Sequence, residues 1–473
     1  MATMQAGARR ERWAVAGVLA AGFALRMYFL LLPVSGDDDT LAYAELARNW
    51  FHHGVYGFLQ GGTIAPSLIR LPGYPLFLGM VFSVFGNHLG AALVIQALVD
   101  LTGCWILYDC LRREVSRRAG WAALLLAALC PFTAAYTATG MTESLSVFCV
   151  AAAIGAGVRV VRAAREGRIA RGGVVALAAA LGYAMLLRPD GVLLTVAFSA
   201  GLVWYLRKPL GARRALRVGV LTGILAVLPL APWTLRNFKT FGVVQPLAPR
   251  YVNNPGEWVA TGFTRWARTW SVNYIDTGTV VWNLSDQIDM DDIPARACYS
   301  DAECQRTEDL IDQHNAVKGV PAALDAQFAA LAAQRIRERP WNYYAVFPAE
   351  RVANMWLWPR TEMLNMSIYW WRVREHPRDS VIAIGLGLVN LGYLVLAGIG
   401  FARKRVPLKA VLLGYIAMRC MLLATMENPE QRYTMVAFPI LIVAGACALA
   451  GKRGLAGNET QAAGETAVSV AAA

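Results

Sequence analysis

The sequence predicts an all-α, polytopic membrane protein with one α-rich or mixed domain outside the bilayer. Three observations predict it. Of 473 residues, 56% are hydrophobic and only 16% charged, against about 25% charged in soluble domains. Apolar stretches of spanning or near-spanning length recur along the chain. Lys and Arg gather in alternate connections between those stretches. Together these features exclude a disordered chain, a small disulfide scaffold and an ordinary soluble enzyme.

A membrane helix needs about 20 mostly apolar residues. Candidate spans are 13–33, 89–109, 120–136, 142–161, 173–187, 192–206, 217–233, 379–401, 409–425 and 434–450, about ten in all. The short ones suit helices packed on protein or bordering a cavity. Arg9, Arg10 and Arg12 precede the first span, and Arg112, Arg113, Arg117 and Arg118 follow the second. Arg159 to Arg171, Arg207 to Arg217, Arg403 to Lys409, and Lys452 with Arg453 continue the alternation. The positive-inside rule places these loops and both termini in the cytoplasm. Parity then faces the long loops 34–88 and 234–378 outward, with short outward turns at 137–141, 188–191 and 426–433. The apolar run 72–85 is too short to span, and counting it would reverse everything downstream. It reads instead as a re-entrant or interfacial helix.

The expected organisation is a transmembrane module 1–233 that includes the loop 34–88, an extracytoplasmic domain 234–378, C-terminal membrane helices 379–452 and a disordered tail 453–473. The first span is not expected to be a cleaved signal, because no small-residue cleavage site precedes Asp37–Asp39. The net charge of +13 is explained by the inward loops. They lack interleaved aromatics, so the expected partner is the lipid bilayer of an inner (plasma) membrane and not nucleic acid.

Six cysteines lie in or beside spans, where cysteine acts as a small hydrophobe. Cys298 and Cys304 stand alone in the large outward loop. They are either a local disulfide, favoured by an oxidising compartment, or two free thiols. No cysteine or histidine spacing matches a metal site, and no cofactor is expected. There is no P-loop, dinucleotide fingerprint or nucleophile elbow.

Polar chemistry concentrates at the outward ends of spans. Asp37, Asp38 and Asp39 open the first outward loop. Tyr43, Leu46, Ala47, Trp50 and Phe51 follow at helical spacing and form one apolar stripe, as on a helix lying at the membrane surface. The Asp cluster serves either as a helix N-terminal cap or as a catalytic centre. Arg70, Arg188, Arg236 and Arg432 sit at outward span ends, with Arg26 deeper in the first span. Arginines so placed either snorkel to headgroups or gather round an anionic phosphate through bidentate contacts. Glu143 and Asp190 lie at the same level as salt-bridge partners. The outward domain is rich in aromatics, among them Trp258, Trp266, Trp270, Trp282 and Trp341. These form an interfacial belt or stack on sugar rings. Residues 321–339 read as an amphipathic helix.

Asp39-x-x-x-Tyr43-x-x-x-Ala47, followed by Arg70-Leu71-Pro72-Gly73-Tyr74-Pro75-Leu76-Phe77-Leu78, resembles the first loop of C-type (GT-C) glycosyltransferases. The similarity is to the bacterial branch of glycosyltransferase family 39, which includes relatives of protein O-mannosyltransferases and of the aminoarabinose transferase of lipid A. Thr142-Glu143-Ser144-Leu145, Leu187-Arg188-Pro189-Asp190-Gly191, Pro232-Trp233-Thr234-Leu235-Arg236-Asn237-Phe238 and Gln431-Arg432-Tyr433-Thr434 continue it in order. Asp325 to Trp356 resembles the family's helix leading back to the membrane.

The resemblance implies a GT-C helix bundle that transfers a sugar from a polyprenyl-phosphate donor to an extracytoplasmic lipid, glycan or protein. It places the catalytic base at Asp39, with Asp38 as the alternative in a slipped register. It places the donor phosphate at Arg70; Arg236, Arg432 and Arg188 are further candidates to stabilise its charge. Tyr43, Tyr74 and Glu143 are expected to line the substrate site. A single displacement with Asp39 as general base predicts inversion at the anomeric carbon. In the aminoarabinose branch an acidic residue stands where this chain has Ile69, and an Arg where it has Ala42. Eukaryotic-type protein mannosyltransferases usually have Asp-Glu at the catalytic pair, where this chain has Asp39-Thr40. Sugar and acceptor therefore stay open. Two rival readings are a transporter or lipid flippase, and an envelope ligase or polymerase using diphosphate-linked donors.

Overall fold

The computed structural model describes residues 2–32, 37–403 and 406–450. The side chains of Asp37 and Asp38, and also Lys404, Arg405, Lys452, Arg453 and the tail 453–473, lie outside that description. The described chain is helical, with one two-stranded sheet.

Helix α1 (Ala2–Leu31) leads to α2 (Asp37–His53), a hairpin of β1 (Gly57–Gln60) and β2 (Thr63–Pro66), and α3 (Gly73–Phe85). The hairpin turns at Gly61 and Gly62, both at positive φ (55° and 85°). A two-residue turn matching the strand twist needs that geometry at both positions, and glycine adopts it without strain. The bundle continues through α4 (Leu89–Glu114), α5 (Arg117–Ala128), α6 (Pro131–Tyr136), α7 (Glu143–Arg165), α8 (Arg171–Leu187), α9 (Gly191–Leu210), α10 (Ala212–Val227) and α11 (Leu230–Phe241). Helix α7 is its centre: α4, α8 and α9 pack round it, together with the 3-10 segment Gln431–Ala437.

The expected ten spans are not all of spanning length. Among the described residues five helical segments are long and apolar enough to cross a membrane: Arg9–Leu31, Leu89–Glu114, Glu143–Arg165, Pro377–Ala402 and Gln431–Leu449. Ala212–Val227 with Leu230–Phe241 makes a sixth, bent by 41°. The bend falls at Pro229, which lacks an N–H and crowds the carbonyl one turn back. The expected span 120–136 is likewise broken, because Cys130-Pro131 ends α5 and restarts the chain as α6. The other expected spans form shorter or less apolar helices packed within the bundle.

The α2 stripe is turned in part onto protein. Leu46 and Ala47 are fully buried, and α2 packs along α3. Gly79 of α3 leaves room for the Phe51 ring, because a Cβ there would stand 2.2 Å from it.

The long segment that follows α11 has its own core. It contains α12 (Thr261–Ala267), α13 (Tyr274–Asp276), α14 (Asp301–Val317), α15 (Ala322–Glu338) and α16 (Phe347–Leu357). The expected amphipathic helix 321–339 is α15, and it turns Phe328, Leu331 and Ala332 inward onto α12. Asp325 accepts from the backbone N–H groups of Gly262 (3.0 Å) and Phe263 (2.9 Å) and so caps α12. Trp266 and Trp270 are fully buried in this core and have no face for a sugar. Cys298 and Cys304 are joined by a disulfide. The chain returns through α17 (Pro377–Ala402), α18 (Lys409–Leu423) and α19 (Phe438–Leu449).

Arg26 is a staple between helices. Its Nε donates to Asp100 (3.0 Å), and Nη1 donates to the carbonyls of Gly22 (2.7 Å) and Ala128 (2.8 Å). Arg26 and Asp100 are 0% and 3% exposed. Arg26→Met leaves a buried charge without its partner and is expected to cost about 3–5 kcal/mol. The double change Arg26→Met with Asp100→Leu is expected to recover most of that. Thermal unfolding in detergent tests the pair; equal losses in both variants would contradict it.

Candidate active site

Three distant segments meet at Asp39. Thr40 begins the placement: its hydroxyl accepts from the Gly140 N–H (3.1 Å) and pins the start of α2 against the loop before α7. The Asp39 carboxylate then accepts from Arg70 Nη2 (2.6 Å) and from Arg432 Nη1 (2.9 Å). Arg70 lies between the hairpin and α3, and Arg432 lies in the turn before α19. Burial alone would raise the Asp39 pKa. The guanidiniums of Arg432 and Arg70 outweigh it and hold the carboxyl below 3.8, its ordinary value.

Arg432 is shared. Its Nε lies 2.5 Å from Glu430 Oε2, and its Nη2 donates to Glu430 Oε1 (3.2 Å). The Tyr433 hydroxyl donates to the same Glu430 oxygen (2.5 Å). Burial outweighs Arg432 and raises the Glu430 pKa above its ordinary value.

A second ionic row lies beside the first. Arg188 Nη1 meets Glu143 (2.6 Å), and Arg188 Nε lies 3.4 Å from Asp190. Arg419 Nη1 meets the other Asp190 oxygen (2.7 Å), and Arg419 Nε donates to the Tyr433 carbonyl (2.8 Å). The Tyr433 ring lies under both Arg188 and Arg432, each 5.6 Å from its centroid, and so joins the rows. Burial opposes ionisation of Asp190, but Arg419 and Arg188 bring its pKa down to about 2. The rows set Arg70, Arg188, Arg419 and Arg432 against Asp39, Glu143, Asp190 and Glu430. Among the described residues each of these guanidiniums is held by a carboxylate, so an incoming anion competes with a carboxylate for it.

Not every expected residue joins this cluster. Arg236 makes no ion pair among the described residues. Its Nη2 donates to the Tyr56 carbonyl (2.7 Å) and its Nη1 to that of Ser67 (2.8 Å), clamping the base of the hairpin. The Tyr56 hydroxyl in turn donates to the Arg70 carbonyl (3.0 Å). Arg236 thus supports Arg70 through Tyr56. Tyr74 is fully buried and donates to Gln96 (2.8 Å), which grips the carbonyls of Thr137 (3.2 Å) and Thr139 (2.9 Å). It offers no surface to a substrate but packs edge-on beneath Tyr43, centroids 5.2 Å apart. Tyr43 lies under the Arg70 guanidinium at 5.8 Å. Glu143 is 2% exposed and serves as the partner of Arg188. The Asp38 side chain lies outside the described residues.

Two residues of these rows, and a third beside them, were not foreseen. Arg419 is a lone cation in an apolar helix, the signal that singled out Arg26. Glu430 stands two positions before Arg432. Arg360, held within an aromatic-rich return segment, carried no periodic signal. Among the described residues no group of His, Cys, Asp and Glu converges as a metal site.

Residues 66–233 match the family of dolichyl-phosphate-mannose-protein mannosyltransferases. That segment holds Arg70, Tyr74, Glu143 and Arg188; Asp39, Arg236 and Arg432 lie outside it. The fold is that of GT-C membrane glycosyltransferases. Among solved structures, the archaeal oligosaccharyltransferase AglB from Archaeoglobus fulgidus, in complex with an inhibitory peptide and a dolichol-phosphate, superposes with a TM-score of 0.50 at 12% identity. The match covers 93% of this chain and 50% of that one, so the chain spans about half its length. ArnT from Cupriavidus metallidurans gives a TM-score of 0.39 at 16% identity, over 93% of this chain and 77% of that one. No curated protein sequence matches the chain.

Proposed function

We propose that the protein is an integral-membrane glycosyltransferase that moves a sugar from a polyprenyl-phosphate donor to an acceptor hydroxyl on the extracytoplasmic face. The observation that carries this reading is the meeting of one carboxylate, Asp39, with two arginines from separate loops, Arg70 and Arg432. The reading is also supported by the dolichol-phosphate bound to the oligosaccharyltransferase of the same fold. In this reading the alternating basic loops keep both termini in the cytoplasm and the Asp39 cluster outside.

In the proposed reaction the acceptor oxygen attacks the anomeric carbon. The bond from that carbon to the phosphate oxygen breaks, and the phosphate leaves with the electron pair. Asp39 takes the acceptor proton. Arg70 and Arg432 stabilise the charge that grows on the leaving phosphate, with Arg188 beside them and Arg236 holding the hairpin that carries Arg70. The attack comes from the face opposite the phosphate, so the product is inverted.

One difficulty is resolved by the same contacts. A carboxylate clamped by two guanidiniums is a weak base. A phosphate competing for Arg70 and Arg432 withdraws them from Asp39 and raises its basicity. The donor therefore arms its own base. Activity requires Asp39 unprotonated and falls as pH drops through its pKa. The acid limb of kcat, which reports the donor-loaded enzyme, is expected at higher pH than the limb of kcat/KM, which reports the free enzyme. Coincident limbs would contradict donor arming. The reaction itself is tested by the anomeric configuration of the product: an inverted product is expected, and retention would sink the single displacement.

A further inference from the structure

Beside the Asp39 cluster lies a buried group of polar side chains that none of these steps uses. Arg360, 5% exposed, builds it. Its Nε donates to Asn390 (3.0 Å), Nη1 to the Gln431 carbonyl (3.1 Å) and Nη2 to Thr434 (2.6 Å). The guanidinium lies 4.7 Å from the Phe438 centroid. These bonds seat segment 360–362 alongside segment 430–434 and bring Glu362 close enough to Glu430 to feel its charge.

A mainly apolar cleft opens at this junction. Phe29, Phe132, Tyr136 and Leu386 line it, with Arg360 and Glu362 as its charged residues. Glu362 Oε1 accepts from the Tyr136 hydroxyl (2.8 Å). Glu362 Oε2 is shielded from solvent and has no hydrogen-bond partner among the described residues. The Arg360 nitrogens are engaged elsewhere, and Glu362 forms no ion pair among the described residues. A buried polar atom without a partner is costly, and a ligand donor relieves that cost. The last torsion of a glutamate is soft, so the carboxyl can turn toward the cleft at little expense. From the outward domain, Tyr274 comes close enough for Glu430 and Glu362 to help burial raise its pKa to about 12.

We propose that Glu362, held by Tyr136 beside Glu430, reads the transferred sugar by accepting a hydrogen bond from one of its hydroxyl or amino groups, and that it excludes sugars bearing a carboxylate. This rests on the glycosyltransferase reading and names its substrate class. A carboxylate accepts hydrogen bonds and cannot donate them. A sugar hydroxyl or amine matches Oε2. A uronate would be stripped of water beside Glu362 and Glu430, and Arg360 has no free nitrogen to receive it.

The test uses purified protein in lipid nanodiscs with three probes: a polyprenyl-phosphate neutral hexose, the corresponding uronate, and bare polyprenyl phosphate. The unaltered protein is expected to prefer the neutral donor by about 100-fold or more in kcat/KM, as for a site that rejects an unpaired charge. Glu362→Gln keeps the shape and removes the charge. It is expected to shrink that preference at least tenfold, chiefly through KM, and to leave the affinity for bare polyprenyl phosphate near that of the unaltered protein. An unchanged preference in Glu362→Gln, or equal use of both donors by the unaltered protein, overturns this proposal alone. Failure of the unaltered protein to bind bare polyprenyl phosphate overturns the underlying reading, and this proposal with it.

Discussion

Asp39→Asn is expected to lower kcat about 10³-fold and at the same time to tighten binding of polyprenyl phosphate. The two effects come from one geometry. Asparagine keeps the shape of the side chain but cannot take the acceptor's proton, so the chemical step slows. The neutral amide also no longer competes, as the carboxylate does, for Arg70 (2.6 Å) and Arg432 (2.9 Å). Both guanidiniums are then free to meet the donor phosphate. A fall in kcat with a fall in KM is the signature of a group that opposes binding but serves the transition state. A stability defect would not produce it, because misfolded protein loses binding sites. Titration with polyprenyl phosphate beside single-turnover kinetics measures both effects. Undiminished kcat in a well-folded Asp39→Asn protein would remove Asp39 from the base role.

Arg432→Ala is expected to cost about 10²–10³-fold in kcat, the usual loss when one charge-stabilising donor is removed from an active site. Arg432 bridges Asp39 and Glu430, so its removal also leaves Glu430, 3% exposed, without its cation. Arg432→Lys separates the two consequences. Lysine restores a positive charge beside Glu430 but cannot reproduce the planar fork that reaches both carboxylates. The folded fraction is therefore expected to recover in Arg432→Lys, with kcat remaining well below that of the unaltered protein. Full activity in Arg432→Lys would reduce Arg432 to a counter-ion. Arg70→Ala is the matched comparison, because Arg70 meets the other Asp39 oxygen and holds no second carboxylate among the described residues.

The sequence revealed what is local and periodic. Helix α15 and the helix carrying Tyr43 follow from the spacing of their apolar residues, and most apolar segments of the bundle are helices. The breaks at Pro131 and Pro229 were missed, because a hydrophobic count over a window does not register a missing N–H. The environment of α2 was misjudged for a different reason. An apolar stripe looks the same whether it faces lipid or another helix, and only the position of α3 decides. The site was partly legible. Asp39, Arg70 and Arg432 were singled out separately, and the fold brings them together across nearly 400 residues of chain. Glu143 and Asp190 were expected as ionic partners, and both pair with Arg188. Tyr74 and Arg236 carried the same motif signals but serve as supports. A motif marks that a residue type matters at a position; it does not say whether the side chain faces a ligand or holds the residue that does. Arg419 carries the lone-cation signal that marks Arg26, but its pairing with Asp190, like that of Glu430 with Arg432, involves a connection whose geometry only the folded bundle fixes.

The most direct test of the central claim is the release of polyprenyl phosphate from a panel of labelled lipid-linked sugars by purified protein in nanodiscs, with Asp39→Asn alongside. The account predicts release from at least one monophosphate-linked donor by the unaltered protein, and release slowed about 10³-fold in the variant. Absence of both binding and release across the panel, together with movement of intact lipid-linked sugar between bilayer leaflets in liposomes, would contradict it and assign the bundle to a transporter instead.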